Sequence, residues 1–446
     1  MIELKYGHYF LEKRKFALAH ETRIPGLVLV DHQFTVPLDY EKPDGDTIEI
    51  YAREVRSLEK SASSRPWLVY LQGGPGFESP RPATKSGWLK RALQDYRVLL
   101  LDQRGTGRST PVNYQTLAHF DSPQEQADYL KHFRADSIVR DAETIRHSLI
   151  GADEKWSVLG QSYGGFCITT YLSIASEGLK ETIFTGGLPP LSGSADDVYR
   201  ATYKRVIDKN ILYYQRYPDD VEKIQEIVVY LQNNEVELPG GGILTPRRFQ
   251  QMGFRFGGHG GFENLHFMLE ESFVDTPSGK ELSYKFLRNV ENEQAFETNP
   301  IFAILHEAIY CQGEASNWSA ERVRAEYPEF SISPDKPVFF TGEMIYPWMF
   351  DDYAYLRPLK EASEILAAYD GWSNLYDPVV LAQNDVPCVA AIYYDDMYVE
   401  REFSDETAKQ IRGLRYWVTN EYEHSGLRED GAKVLGRLLD MLRGEI

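Results

Sequence analysis

The chain has 446 residues, with 48 Lys+Arg against 67 Asp+Glu, a formal net charge of −19. That charge repels nucleic acid and anionic membrane surfaces and fits a well-solvated exterior, with attraction of a cationic substrate as the narrower reading. No stretch is long and apolar enough to cross a membrane, so neither nucleic acid nor membrane is an expected partner. The first residues, Met1 to His8, lack the apolar core of a signal peptide, and the expected compartment is the cytoplasm. Cys167, Cys311 and Cys388 sit far apart among apolar or aromatic neighbours, as buried reduced thiols do.

The chain opens with β-formers at 27–30, 32–38 and 47–55, the last two separated by a Pro43-Asp-Gly-Asp turn signal. Strand and helix patterns then alternate. An apolar run at 67–71 ends at Gly73-Gly74-Pro75-Gly76. A second at 96–102 leads to Gly105-Thr-Gly107. Residues 137–149 carry helical spacing at Ile138, Ile145 and Leu149. A short strand at 156–159 enters Gly160-Gln161-Ser162-Tyr163-Gly164, and an apolar helix follows from Phe166 to Ile174. Another strand covers 181–185. Such alternation predicts a mostly parallel sheet covered by helices on both faces.

From 192 to 332 helical stretches dominate: 199–216, 218–232, 261–273 and 302–311, broken by glycine runs at 240–242 and 257–261. The runs lack the lysine and serine of a phosphate loop and read as loops. The strand pattern returns at 336–342, 387–394 and 414–419. Three blocks follow: a first core part at 1–191, an inserted helical cap at 192–332, and a second core part at 333–446.

Gly160 to Gly164 has the G-x-S-x-G form of a nucleophile elbow, in which a strand–turn–helix corner exposes the serine hydroxyl. A serine needs a base, and the base needs an acid to orient it. Both follow in order. Asp395 and Asp396 stand just beyond the 387–394 strand, and His424 stands in the loop after the 414–419 strand. Acyl transfer also needs two fixed N–H donors for the developing oxyanion. Tyr163 directly follows the nucleophile, and Gly74 ends an earlier buried strand. Arg104 is expected to pair with a carboxylate or a backbone carbonyl and to buttress these loops.

Gln72-Gly-Gly-Pro-Gly76, Asp102-Gln-Arg-Gly-Thr-Gly-Arg-Ser109 and Gly160-Gln-Ser-Tyr-Gly-Gly165 occur together and in order. With Thr185-Gly-Gly-Leu-Pro-Pro190, Tyr394-Asp-Asp-Met-Tyr-Val399 and Asn420-Glu-Tyr-Glu-His-Ser-Gly-Leu427, the set resembles the larger members of the proline iminopeptidase family. One departure is Gln72, where the family's commoner form has His. The resemblance implies an α/β-hydrolase fold, with a helical cap on a mostly parallel sheet. It implies a serine exopeptidase that releases N-terminal proline from short peptides through an acyl-enzyme, without a cofactor. It also selects Asp396 over Asp395 as the acid beside Ser162 and His424.

An aminopeptidase must pair a substrate cation with buried carboxylate. The resemblance places such glutamates in or beside the cap, and the matching positions are Glu307 and Glu343. A proline ring suits aromatic walls, for which Phe77, Tyr163, Tyr310, Trp348 and Phe350 are candidates. His306-Glu307 lacks the second histidine of a zincin helix, so no catalytic metal is expected. The rival readings are an esterase or amidase of the same fold, which needs no amine-binding carboxylate, and a non-catalytic ligand-binding member.

Overall fold

The computed structural model describes residues 20–446, so the reading of Met1 to His8 lies outside the described residues. The strands run in chain order as β1 (Glu21–Ile24), β2 (Leu27–Pro37), β3 (Thr47–Ser57), β4 (Trp67–Leu71), β5 (Arg97–Leu101), β6 (Trp156–Gln161) and β7 (Leu179–Thr185). A small hairpin, β8 (Phe273–Thr276) with β9 (Gly279–Leu282), precedes β10 (Cys388–Tyr393) and β11 (Leu414–Thr419). Among the described residues, nine strands form one sheet in the order β1-β2-β3-β5-β4-β6-β7-β10-β11. The pairs among β1, β2, β3 and β5 are antiparallel, and every pair from β5 to β11 is parallel.

The parallel part follows from side-chain periodicity. In β4, Val69 and Leu71 join a core with helix Ala135–Ile150 and helix Tyr163–Ile174. Leu68 and Tyr70 point the other way, into a core with helix Gly87–Asp95 and helix Gly431–Arg443. Every residue of β4, β6 and β10 is buried, as a strand covered on both faces requires.

Between β7 and β10 the chain is mainly helical, and it touches the loops that follow β4, β5, β10 and β11. Its longest helix, Ala195–Arg216, begins at a capping box in which Ser194 and Asp197 satisfy each other's backbone N–H groups. This helix is tied to the sheet's loops by Arg205, which donates to Glu400 at 2.6 and 3.1 Å, and by Lys209, which donates to Glu423 at 2.5 Å. Among the described residues no helix is long and apolar enough to cross a membrane.

Several expected elements differ. Residues 27–38 hold one continuous strand rather than two, since β2 pairs with β3 along its whole length. The stretch 302–311 divides into helix Pro300–Leu305 and the single turn Glu307–Ile309. The stretch 261–273 ends as a helix at Leu269, before the hairpin. The strand expected at 336–342 is absent. Val338 and Phe340 are buried on either side of a less buried Phe339, which imitates a strand locally. The backbone partners come from the cap instead: Asn210 brackets Phe340, accepting from its N–H and donating to its carbonyl at 2.8 Å each, and Thr341 N–H donates to the Gln250 carbonyl. The sheet therefore resumes only at Cys388.

The buttress expected of the Asp102–Ser109 loop is present. Asp102 is fully buried and accepts from both Arg81 guanidinium nitrogens and from the N–H groups of Ser79 and Arg108. Arg104 donates two bonds to Asp141, at 2.6 and 2.8 Å, and others to the carbonyls of Pro37, Leu38 and His132. Removing one member of a buried ion pair strands the other. Arg104→Met should therefore cost about 3–5 kcal/mol in urea denaturation. Arg104→Met combined with Asp141→Leu should cost less than Arg104→Met alone. A double variant less stable than the single one would show that the pair does not act as a unit.

Candidate active site

The elbow is built by lack of space. A side-chain carbon at Gly164 would overlap the Leu71 carbonyl, and one at Gly165 would overlap the carbonyl of Gly187. The helix therefore starts hard against β4 and the loop after β7, and Ser162 is left at the corner with φ 55° and ψ −127°. A non-glycine residue in this region costs about 1–3 kcal/mol and persists only where its surroundings hold it. Here the Ser162 N–H donates to the Thr185 carbonyl, and its carbonyl accepts from Gly165 N–H. Gly73 passes directly over the serine: a carbon placed on it would lie 2.9 Å from Ser162 Cβ. Gly74 follows with φ +135°. Tyr163 N–H belongs to the helix's first turn, which has no intrahelical acceptor.

His424 and Asp396 come from the loops after β11 and β10. His424 Nδ1 lies 2.7 Å from Asp396 Oδ2. The other oxygen of Asp396 accepts from Tyr398 N–H at 2.8 Å and Val399 N–H at 3.0 Å. Asp396 is buried, whereas Asp395 is exposed, so Asp396 is the aspartate that faces the imidazole. The His424 N–H donates to the Gly257 carbonyl of the cap, and the Tyr398 ring stands edge-on to the imidazole at 4.9 Å. Burial opposes charging of His424. The charge and hydrogen bond of Asp396 outweigh burial, Glu343 adds to them, and the imidazole is held above the usual histidine value.

The two glutamates part company. Glu343 sits close enough for its charge to act on His424, Tyr310 and Tyr398. Its Oε2 lies 3.7 Å from His306 Nε2, and His306 Nδ1 lies 3.3 Å from the Tyr199 hydroxyl. Glu307 is occupied elsewhere. Its two oxygens accept from the N–H groups of Ser319 and Ala320, at 3.0 and 2.8 Å, and so cap helix Ser319–Arg324. Burial pushes its carboxyl up, against the pull of those N–H groups. The structure thus gives Glu307, expected to bind a substrate amine, a capping role.

An aromatic arc runs from the glycine loop to the histidine. Phe77 meets Phe302 edge-on at 5.5 Å, Phe302 meets Phe254 at 6.0 Å, Phe254 meets Tyr398 at 5.6 Å, and Tyr398 reaches His424. Tyr310 packs between Phe166 and His306, at 6.0 and 6.1 Å. Phe77 and Tyr310 were legible in the sequence as candidates, but Phe254, Phe302 and Tyr398 were not. Tyr398 carried one signal, its place two residues after Asp396. Trp348, also expected to line the site, stacks on Tyr346 at 5.2 Å under the Arg247 guanidinium. Phe350 likewise packs beside Trp318. The Tyr163 ring is buried beside Phe166, leaving its backbone N–H as the part next to the serine.

A parallel sheet with a serine elbow after β6, an aspartate after β10 and a histidine after β11 defines an α/β hydrolase. The α/β hydrolase fold family matches residues 66–220. A proline iminopeptidase of Aeromonas sobria is 51% identical over 421 residues, covering 94% of this chain and 98% of that protein. A proline iminopeptidase of Aspergillus aculeatus is 38% identical, covering 93% of each chain. The chain belongs to the proline iminopeptidase family. A crystal structure of a Mycobacterium smegmatis proline iminopeptidase superposes with a TM-score of 0.45 at 14% identity, over 93% of this chain and 98% of that one.

The capping role of Glu307 has a measurable consequence. Glu307→Ala should lower stability by about 1–3 kcal/mol in chemical denaturation, with KM changed by less than about twofold because no binding contact is lost. A large rise in KM at unchanged stability would return Glu307 to the substrate site.

Proposed function

We propose that the protein is a serine-type prolyl aminopeptidase, releasing N-terminal proline from short peptides through an acyl-enzyme. The observation that carries this reading is Glu343, a partly exposed carboxylate 3.7 Å from His306 and near enough to His424 for its charge to act on the imidazole. An esterase or amidase of the same fold has no need of that charge.

In this mechanism the substrate's imino cation pairs with Glu343, which His306 orients, and the pyrrolidine ring lies against Phe77, Phe302 and Tyr310. Ser162 Oγ attacks the prolyl carbonyl while His424 Nε2 takes its proton. Asp396 holds Nδ1–H and stabilises the imidazolium that forms. The N–H groups of Gly74 and Tyr163 receive the oxyanion. His424 then returns the proton to the departing amine. Water, activated by the same imidazole, hydrolyses the prolyl ester. The cap, pinned by Arg205–Glu400 and Lys209–Glu423, closes the space beyond the imino group and limits cleavage to one residue.

A cytoplasmic setting is part of the same proposal. It is supported by three cysteines that are all free and buried, as a reducing compartment permits.

Prolyl-naphthylamide and its N-acetylated form test the reading. The wild type should cleave the free imino substrate and leave the acetylated one almost untouched. Glu343→Gln should lower kcat/KM for the free substrate by about 10–100-fold, chiefly through KM, as expected for loss of one partly buried charge pair. Equal rates on both substrates would establish an esterase or amidase instead.

A further inference from the structure

Gln161, the last residue of β6, immediately precedes the serine and is 2% exposed. Both ends of its carboxamide meet groups of the site. Its Oε1 accepts from Arg428 Nη2 at 3.3 Å, and its Nε2 lies 3.4 Å from His424 Nε2. A guanidinium only donates, so the amide oxygen must face Arg428 and the amide N–H must face the imidazole. An N–H can approach Nε2 only where that nitrogen carries its lone pair. The imidazole proton is then on Nδ1, donated to Asp396, and the ring's hydrogen bonds are those to Asp396 and Gln161.

We propose that Gln161 is a positioning residue for His424: its amide N–H occupies the Nε2 lone pair in the free enzyme, holds the base-competent tautomer, and yields that lone pair to Ser162 when substrate binds. The proposal rests on the reading of His424 as general base. It assigns a task to the variable position of the elbow, beyond the triad and the oxyanion donors.

The arrangement has an electrostatic consequence. A donor aimed at Nε2 favours neutral imidazole over imidazolium, because the charged ring would present a second N–H to the first. The other groups facing His424 act in both directions. Asp396 and Glu343 favour its charge, and Arg428 opposes it. Glu423, the preceding residue, is paired with Lys209 of the cap, Asp395 is turned to solvent, and Tyr398 presents only a ring edge. Gln161 therefore works with Arg428 to favour neutral His424, against the two carboxylates.

The acid limb of the kcat/KM profile reports protonation of the free enzyme's base. Activity requires neutral His424, so it falls as pH drops through the histidine's value. With prolyl-naphthylamide as substrate, Gln161→Met should move that limb to higher pH by about half to one pH unit, the size of one hydrogen bond. Gln161→Glu should move it further, because a carboxylate accepts from the imidazolium. A glutamine needed only for packing would lower activity equally at every pH, and coincident limbs in all three proteins would overturn the proposal. If neither variant folds, nitrogen-15 NMR of the wild-type histidines decides it: His424 should carry its neutral-state proton on Nδ1, and a proton on Nε2 would overturn the assignment. Ser162→Ala separates the two levels. An inactive Ser162→Ala with unshifted limbs removes Gln161 alone, whereas an active Ser162→Ala removes the underlying reading and the proposal with it.

Discussion

The constraint on which the site depends is the contact between the elbow and its neighbours. Helix Tyr163–Ile174 begins so near to β4 and to the loop after β7 that Gly164 and Gly165 touch the carbonyls of Leu71 and Gly187. That approach fixes the Ser162 backbone in a conformation it would not otherwise hold. It also sets Gly73 over the serine and Gly186 beside His424, where an added carbon would lie 3.3 Å from Nδ1. Nucleophile and glycine loop are thus registered largely through backbone contacts, with the His424 ring packed against the same frame. The buried Asp102 and Arg104 networks hold the adjoining loops to the same frame.

Around this frame the chain uses two carboxylates for different ends. Asp396 is dry and largely saturated, with one oxygen on His424 and the other on two backbone N–H groups. Three of its roughly four lone-pair sites are taken. Glu343 is partly exposed, with His306 at 3.7 Å, and can still accept a cation. In the proposed mechanism one carboxylate orients and the other recognises, and the difference lies in how many donors each already has. Glu343 lies between β7 and β10, beyond the 192–332 block but packed against it through His306, so its position depends on how that block is held. Two ion pairs and the Gly257–His424 backbone bond supply the hold.

Chemistry tied to local chain geometry was legible in the sequence. The elbow, the glycine loop and the order Ser162, Asp396, His424 each sit at a strand end, and strand ends leave local signals. The parallel strands read as apolar runs because both of their faces are covered. Features decided by long-range packing were not legible. Residues 336–342 read as a strand, yet Asn210 and Gln250 take their backbone bonds. Glu307 among apolar neighbours reads as a binding group, but the helix that it caps begins twelve residues later. Trp348 and Phe302 are both aromatic residues between β7 and β10. Only helix Pro300–Leu305 lies on the glycine loop, where Asn299 donates to the Gly76 carbonyl at 3.1 Å. Nothing local to either residue distinguishes them.

The central claim is that the strained serine carries the acyl group of a substrate whose imino end is held by Glu343. Acid quenching of the enzyme during turnover of a prolyl ester, followed by intact-mass and peptide mass spectrometry, examines that claim directly. The account predicts a single prolyl adduct on the peptide containing Ser162. An adduct on another residue, or turnover without any trapped adduct under conditions where deacylation is rate-limiting, would contradict it.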